Sequence, residues 1–187
     1  MKSRLAKAMR YSSFCLAVLT VGVGSAQDIM WVGGDSGNVN VKANWDPQWI
    51  PNSQTGDTPL IAVFTNSVTI SNDGGSWSLS GFKVRNNSAV TVKGSVSNNR
   101  IQASNVCTEF IVDVETGSSL THVKGSASDM AFYAQKKSFR KIGGGTFKPG
   151  SRFGWSGDNP MATLTVEEGT LDASGSAIRC NGEIKVC

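Results

Sequence analysis

Apolar and polar residues alternate along much of this chain. Ile61 and Val63, Val68 and Ile70, Val90 and Val92, Leu164 and Val166, Ile184 and Val186, and the triplet Phe110, Val112 and Val114 all recur at period two. That is the side-chain period of a strand with one buried face; an amphipathic helix would set its apolar residues three and four apart. Between these runs lie clusters of Asn, Gly, Ser and Asp, such as Ser71-Asn72-Asp73-Gly74-Gly75, Asn86-Asn87-Ser88, Ser97-Asn98-Asn99 and Gly143-Gly144-Gly145. Such residues accept positive φ or hydrogen-bond their own backbone, so the clusters read as turns. Asp129 to Lys137 is a helix candidate, although its Phe132-Tyr133 pair suits a strand as well. The pattern predicts an all-β protein of short strands.

A repeat gives those strands an order. Val84-Arg85-Asn86-Asn87-Ser88-Ala89-Val90 aligns with Val114-Glu115-Thr116-Gly117-Ser118-Ser119-Leu120. Two later copies are one residue tighter, Ile142-Gly143-Gly144-Gly145-Thr146-Phe147 and Val166-Glu167-Glu168-Gly169-Thr170-Leu171, and each copy soon meets another glycine, at Gly94, Gly125, Gly150 and Gly175. The apolar anchors stand 30, 28 and 24 residues apart. A recurrence on this scale predicts a β-solenoid, a single-stranded parallel β-helix in which each copy is one coil stacked on the next. The anchor then points inward and the Gly or Asn takes positive φ at a corner. A β-sandwich is the alternative, but it has no reason to repeat one six-residue motif.

The copies Gly143-Gly144-Gly145-Thr146-Phe147-Lys148-Pro149-Gly150 and Val166-Glu167-Glu168-Gly169-Thr170-Leu171-Asp172-Ala173-Ser174-Gly175 resemble the autotransporter-associated β-strand repeat of bacterial surface passenger proteins. The opening constellation Trp31-Val32-Gly33-Gly34, Ala43-Asn44-Trp45, Pro51, Gly56-Asp57-Thr58 and Val63-Phe64 is similar to the segment that often precedes such repeats. The resemblance covers most of residues 30 to 175. It implies a right-handed parallel β-helix displayed outside the cell, often without enzymatic activity; the residues by themselves leave the hand of the coil open. The expected division is residues 1–26 as a signal peptide, 27–58 as an N-terminal cap and 59–187 as β-solenoid repeats. The stretch after Val166 is too short for a membrane barrel and ends on Ile184-Lys185-Val186-Cys187 without a polar capping coil, so a short or truncated passenger is expected.

Charge and cysteine content follow from the leader. Lys2, Arg4, Lys7 and Arg10 precede an apolar run from Phe14 to Val23 and the small residues Gly24-Ser25-Ala26, the three regions of a secretory signal peptide with cleavage before Gln27. Those four account for four of the 18 Lys and Arg, and all 14 Asp and Glu lie beyond them, so the mature chain is neutral. A sequence pI of about 9.0 therefore gives no support for a nucleic-acid partner. The expected location is secreted or cell-surface, with no integral membrane segment after cleavage. Of the cysteines that remain, Cys107, Cys180 and Cys187, any two can pair, and the connectivity stays open.

The search for chemistry finds no catalytic constellation, cofactor motif or metal site. The only histidine, His122, lies in Ser119-Leu120-Thr121-His122 without a nucleophile motif, and the Glu167-Glu168 pair reads as turn charge. Asp35, Asn38 and Asn40 offer oxygens but lack the closing acid of a calcium loop, so they read as an Asx-rich turn. Aromatic residues supply the binding feature. Trp31 and Trp45 are expected to cap the core, while Trp49, Trp77 and Trp155 are candidates for stacking on sugar rings, Trp49 beside Pro51 foremost. The function expected is a non-enzymatic exported stalk, spacer or adhesive platform whose partners are glycans or host or cell-surface components. A carbohydrate-binding module is the alternative, and a polysaccharide lyase or hydrolase a more distant one.

Overall fold

The computed structural model describes residues 26–51, 58–74, 76–94, 100–123, 131–154 and 160–187; the expected signal peptide lies outside them except for its last residue. The described chain opens with β1 (Gln27–Trp31), β2 (Ser36–Asn38), a 3-10 turn at Lys42–Asn44 and β3 (Trp45–Asp46). Strands then follow in threes: β4 (Leu60–Phe64), β5 (Val68–Asn72) and β6 (Ser76–Leu79), then β7 (Gly81–Val84), β8 (Ala89–Gly94) and β9 (Arg100–Ala103). The next two triplets are β10 (Glu109–Val114), β11 (Ser119–Val123) and β12 (Ala131–Tyr133), and β13 (Ser138–Ile142), β14 (Thr146–Lys148) and β15 (Arg152–Phe153). Last come β16 (Leu164–Val166), β17 (Thr170–Leu171) and β18 (Ala177–Ile178), followed by β19 (Ile184–Val186).

These strands form three sheets. The first has the order β19-β16-β13-β10-β7-β4-β1-β3, the second β17-β14-β11-β8-β5-β2 and the third β18-β15-β12-β9-β6. Each strand pairs with the one three places later, in parallel, and the antiparallel β3 alone covers the outer edge of β1. The fold is all-β, and its parallel pairing departs from the antiparallel sheets of a sandwich. The two-residue β3 pairs with Met30 and Trp31 and so shortens the open backbone edge at that end.

Alternation places one face of every sheet in a shared core. In β10 the burial alternates strictly, with Phe110, Val112 and Val114 inward and Glu109, Ile111 and Asp113 partly exposed. Register then stacks like on like: Val68, Val90, Leu120, Phe147 and Leu171 form one column of the second sheet. Phe110, Phe139, Leu164 and Ile184 form one of the first sheet. The third sheet contributes Trp77, Ile101, Phe132, Phe153 and Ile178. Ring contacts run through the interior, with Phe110 and Phe132 at 4.6 Å and Phe139 and Phe153 at 4.7 Å, both edge-to-face. At the β1 end Trp31 and Trp45 are buried, 5.1 Å apart, and their indole N–H groups donate to the carbonyls of Gly34 and Val39.

Positive φ falls at the corners between the first and second sheets: Asn86 and Asn87, then Gly117, Gly143 and Gly169. The first two of these corners match the expected alignment of Asn87 with Gly117. The third does not. Ile142 pairs with Asp113 and faces outward with it, while Lys141 stands in register with Val112 and Val166 and points inward. The apolar anchor expected at Ile142 is therefore corrected to a buried lysine. Asp113 and Ser119 are six residues apart where their partners Ile142 and Thr146 are four apart, so this corner is two residues shorter, not one.

The helix candidate at Asp129 to Lys137 is also corrected. Residues 129 and 130 lie outside the described ones, 131–133 form β12, and Gln135 and Lys136 make a turn with φ of 51° and 62°. Local preference for helix in Ala, Gln and Lys yields to pairing with β9 and β15 and to burial of Phe132 among Phe110, Phe139 and Phe153.

Candidate functional site

The three tryptophans expected to stack on sugars have separate fates. Trp49 is 52% exposed in the segment after β3. Trp77 is 1% exposed, packed against Trp45 and Phe82, so its ring offers no face to a ligand and the glycan-stacking role is withdrawn for it. Its register with Ile101 on β9 and its ring contacts place it inward on β6. Trp155 lies outside the described residues. Trp49 and Trp77 thus do not form an exposed row.

Of the polar side chains buried among the described residues, His122 and Lys141 are the two with titratable groups. His122, inward on β11, stands edge-on between Phe82 and Phe147 at 5.6 and 5.2 Å, and neither ring nitrogen has a hydrogen-bond partner among the described residues. Burial pushes its pKa down to about 3, so the imidazole is neutral and has no route to a substrate. Lys141 has no exposed surface, and its ammonium donates to the carbonyls of Ile142, Gly143 and Glu168. Desolvation lowers its pKa, opposed by the nearby Asp113 and Glu168 carboxylates. It ties the shortened corner of one layer to the next and holds its charge on backbone dipoles, which is structural work.

Acids and potential ligands are dispersed. Among the described residues no three His, Cys, Asp or Glu side chains come together as a metal site would require. Glu167 and Glu168 are exposed at a turn, and Glu167 faces Arg140 at 3.5 Å. The Asx reading of the opening turn holds: Asn38 Oδ1 accepts from the Asn40 backbone N–H at 2.8 Å, and its amide donates to Asp73. Cys107, Cys180 and Cys187 are free thiols, the first buried and the last exposed, and burial pushes the Cys107 thiol pKa up.

The outer faces of the sheets differ in charge. On the first, acids and bases alternate between layers: Lys83 pairs with Asp28 at 2.8 Å, Arg85 with Asp113, and Arg140 with Glu109 at 2.9 Å. Exposed pairs of this kind contribute about 0–1 kcal/mol each, but they neutralise the surface. The strands of the third sheet contain no acid. Arg100 and Arg152 occupy one outward row, with Ala131 in register between them, and Arg179 follows β18. Arg100 lies over the Tyr133 ring at 5.1 Å and donates through Nε to Ser76. Sequence reasoning passed over these arginines. Their one local signal is a basic residue directly before an inward apolar one, in Arg100-Ile101 and Arg152-Phe153.

No protein family, curated protein or solved structure matches the chain.

Proposed function

We propose that this chain is an exported, non-enzymatic β-solenoid, a parallel β-helix akin to the autotransporter-associated repeat proteins, that serves as a stalk, spacer or adhesive platform at the cell surface. The observation that carries the reading is the three-strand period: every parallel pairing joins strands three places apart, and like residues stack in columns. Corners with Asn or Gly at positive φ, a core of aromatic and β-branched residues, and outer faces tied by ion pairs between layers support the same account. A scaffold of this kind displays flat faces and needs no concave site.

Two experiments test it. A T91C/T121C variant places thiols on paired, partly exposed outward positions of β8 and β11, and oxidation should link them without loss of fold. Failure to cross-link sinks the stacked arrangement. For export, amino-terminal sequencing of the product secreted from a bacterial host should begin at Gln27, and protease added to intact cells should reach it. A product retained inside with Met1 intact refutes surface display. The second reading, a carbohydrate-binding module, is favoured by the exposed ring of Trp49. Tryptophan fluorescence during titration with a neutral glycan panel separates it, since a scaffold of the first kind gives no shift.

A further inference from the structure

The turn between β18 and β19 carries the one asparagine in the sequence that glycine follows, Asn181-Gly182. Both residues are exposed, and among the described residues no hydrogen bond engages the Asn181 side chain or the Gly182 backbone N–H. Other asparagines are placed differently. Ser88, which follows Asn87, is buried and its N–H donates to the Arg85 carbonyl and to Ser118 Oγ, and the Val106 N–H after Asn105 donates to Ser104 Oγ. Glycine matters here because its nitrogen can turn back on the preceding side-chain amide with no Cβ in the way. An unbonded N–H is also free to give up its proton.

We infer that Asn181 is a site of self-modification. The Gly182 nitrogen loses its proton and attacks Asn181 Cγ; a C–N bond forms, ammonia leaves, and the chain holds a cyclic succinimide. Water then opens the ring at either carbonyl, giving aspartate or isoaspartate, so a neutral amide becomes a carboxylate with no oxidant or enzyme. The inference goes beyond the scaffold reading and does not depend on it.

Isoaspartate routes the main chain through the side-chain carbon and lengthens it by one methylene, at a place with no slack. The Asn181 N–H donates to the Met161 carbonyl at 2.9 Å and the Leu164 N–H to the Glu183 carbonyl at 3.0 Å, while a Cβ on Gly182 would stand 2.2 Å from the Ala162 carbonyl oxygen. Little apolar burial holds the strand that follows, since Ile184 is 56% and Val186 75% exposed. Isoaspartate therefore loosens β19 from β16. Cys180 reports the change, because its half-buried thiol lies against the Ala162, Gly182 and Glu183 carbonyls.

The test is incubation of the purified protein at pH 8 and pH 6, followed by peptide mapping with mass spectrometry and by methylation with an isoaspartyl methyltransferase. At pH 8 the peptide holding Asn181 should gain one mass unit and split into aspartyl and isoaspartyl forms, at a rate independent of protein concentration. Because the attacking nitrogen must be deprotonated, the rate should fall about 10-fold for each pH unit of acidification. Asn87 and Asn105, whose following nitrogens must first give up a hydrogen bond, should react about 10-fold more slowly or less. In C187S, where Cys180 is the one partly exposed thiol, its reaction with an aromatic disulfide reagent should quicken in step with the isoaspartyl fraction, and in N181S/C187S it should stay constant. Should either variant fail to fold, mapping of the wild type carries the test. An unchanged mass at Asn181, a rate indifferent to pH, or modification of Asn87 ahead of Asn181 would overturn the site. Thiol reactivity that does not follow isoaspartate would overturn the loosening of β19.

Discussion

Replacing His122 with leucine removes a titratable group from the middle of the core, and the effect on stability depends on pH in a calculable way. The imidazole is fully enclosed, flanked by Phe82 and Phe147, with both nitrogens unpartnered, and its pKa is pushed down to about 3 from 6.5. Because the folded value lies below the unfolded one, the unfolded chain takes up a proton first as the solution is acidified. The stability that depends on a neutral imidazole is present above pH 6.5 and is lost as pH falls toward 3. Linkage puts the loss at about 2 kcal/mol between pH 7 and pH 5, and at about 5 kcal/mol once pH is below 3. At pH 7 leucine should be neutral to stabilising by about 1 kcal/mol, since relief of two unsatisfied nitrogens is offset by the lost edge-to-face contacts. Urea unfolding of wild type and His122→Leu at pH 7 and pH 5 measures both quantities. The difference between the proteins should widen by about 2 kcal/mol at the lower pH. Parallel pH dependences, with no widening, would refute the account of a buried neutral imidazole.

Other substitutions probe the corners and the core. Lys141→Met leaves three carbonyls at the shortened corner without their donor and should destabilise by about 2–3 kcal/mol, read as a lower urea midpoint at unchanged slope. Gly169→Ala combines a left-handed φ of 70° with a methyl 2.4 Å from the Gly145 carbonyl oxygen and should cost more than about 2 kcal/mol, whereas Gly175→Ala, at φ 77° with open space around it, should cost only about 1 kcal/mol. Thermal unfolding of the two variants side by side checks the difference. Trp77→Ala should lose about 3–5 kcal/mol and Trp77→Phe far less, while Trp49→Ala should leave the unfolding transition within about 0.5 kcal/mol of wild type.

Alternation made the strands legible, because period two is a local property that survives whatever the sheets do with it. Corner chemistry was legible at Asn87, Gly117 and Gly169 for the same reason: positive φ is written in the residue that adopts it. Register was not. Lys141 is polar, so an alignment on apolar anchors passes over it to Ile142, and nothing local reveals that three carbonyls at the corners of two layers receive its ammonium. Phe132 shows the same limit, since Phe153 is brought to it by pairing of β12 with β15 and Phe110 by packing of the first sheet against the third across the core. The arginine row lies deepest of all. Arg100 and Arg152 become neighbours through Ala131, and intervals set by loops of unequal length carry no period that a linear reading could detect.

Parallel pairing at every step between layers has a mechanical consequence. Backbone hydrogen bonds in all three sheets point along the stacking direction, so tension between the two ends of the chain opens them by peeling rather than by shear. Each layer joins the next through only three short strands, and the bonds of one junction yield before those of its neighbour are loaded. A yielding layer frees the 20 to 33 residues that separate paired positions of successive strands in the first sheet, or about 65–110 Å of extended chain. Under load the protein would lengthen in steps of that size, a sawtooth in force against extension, giving way one layer at a time.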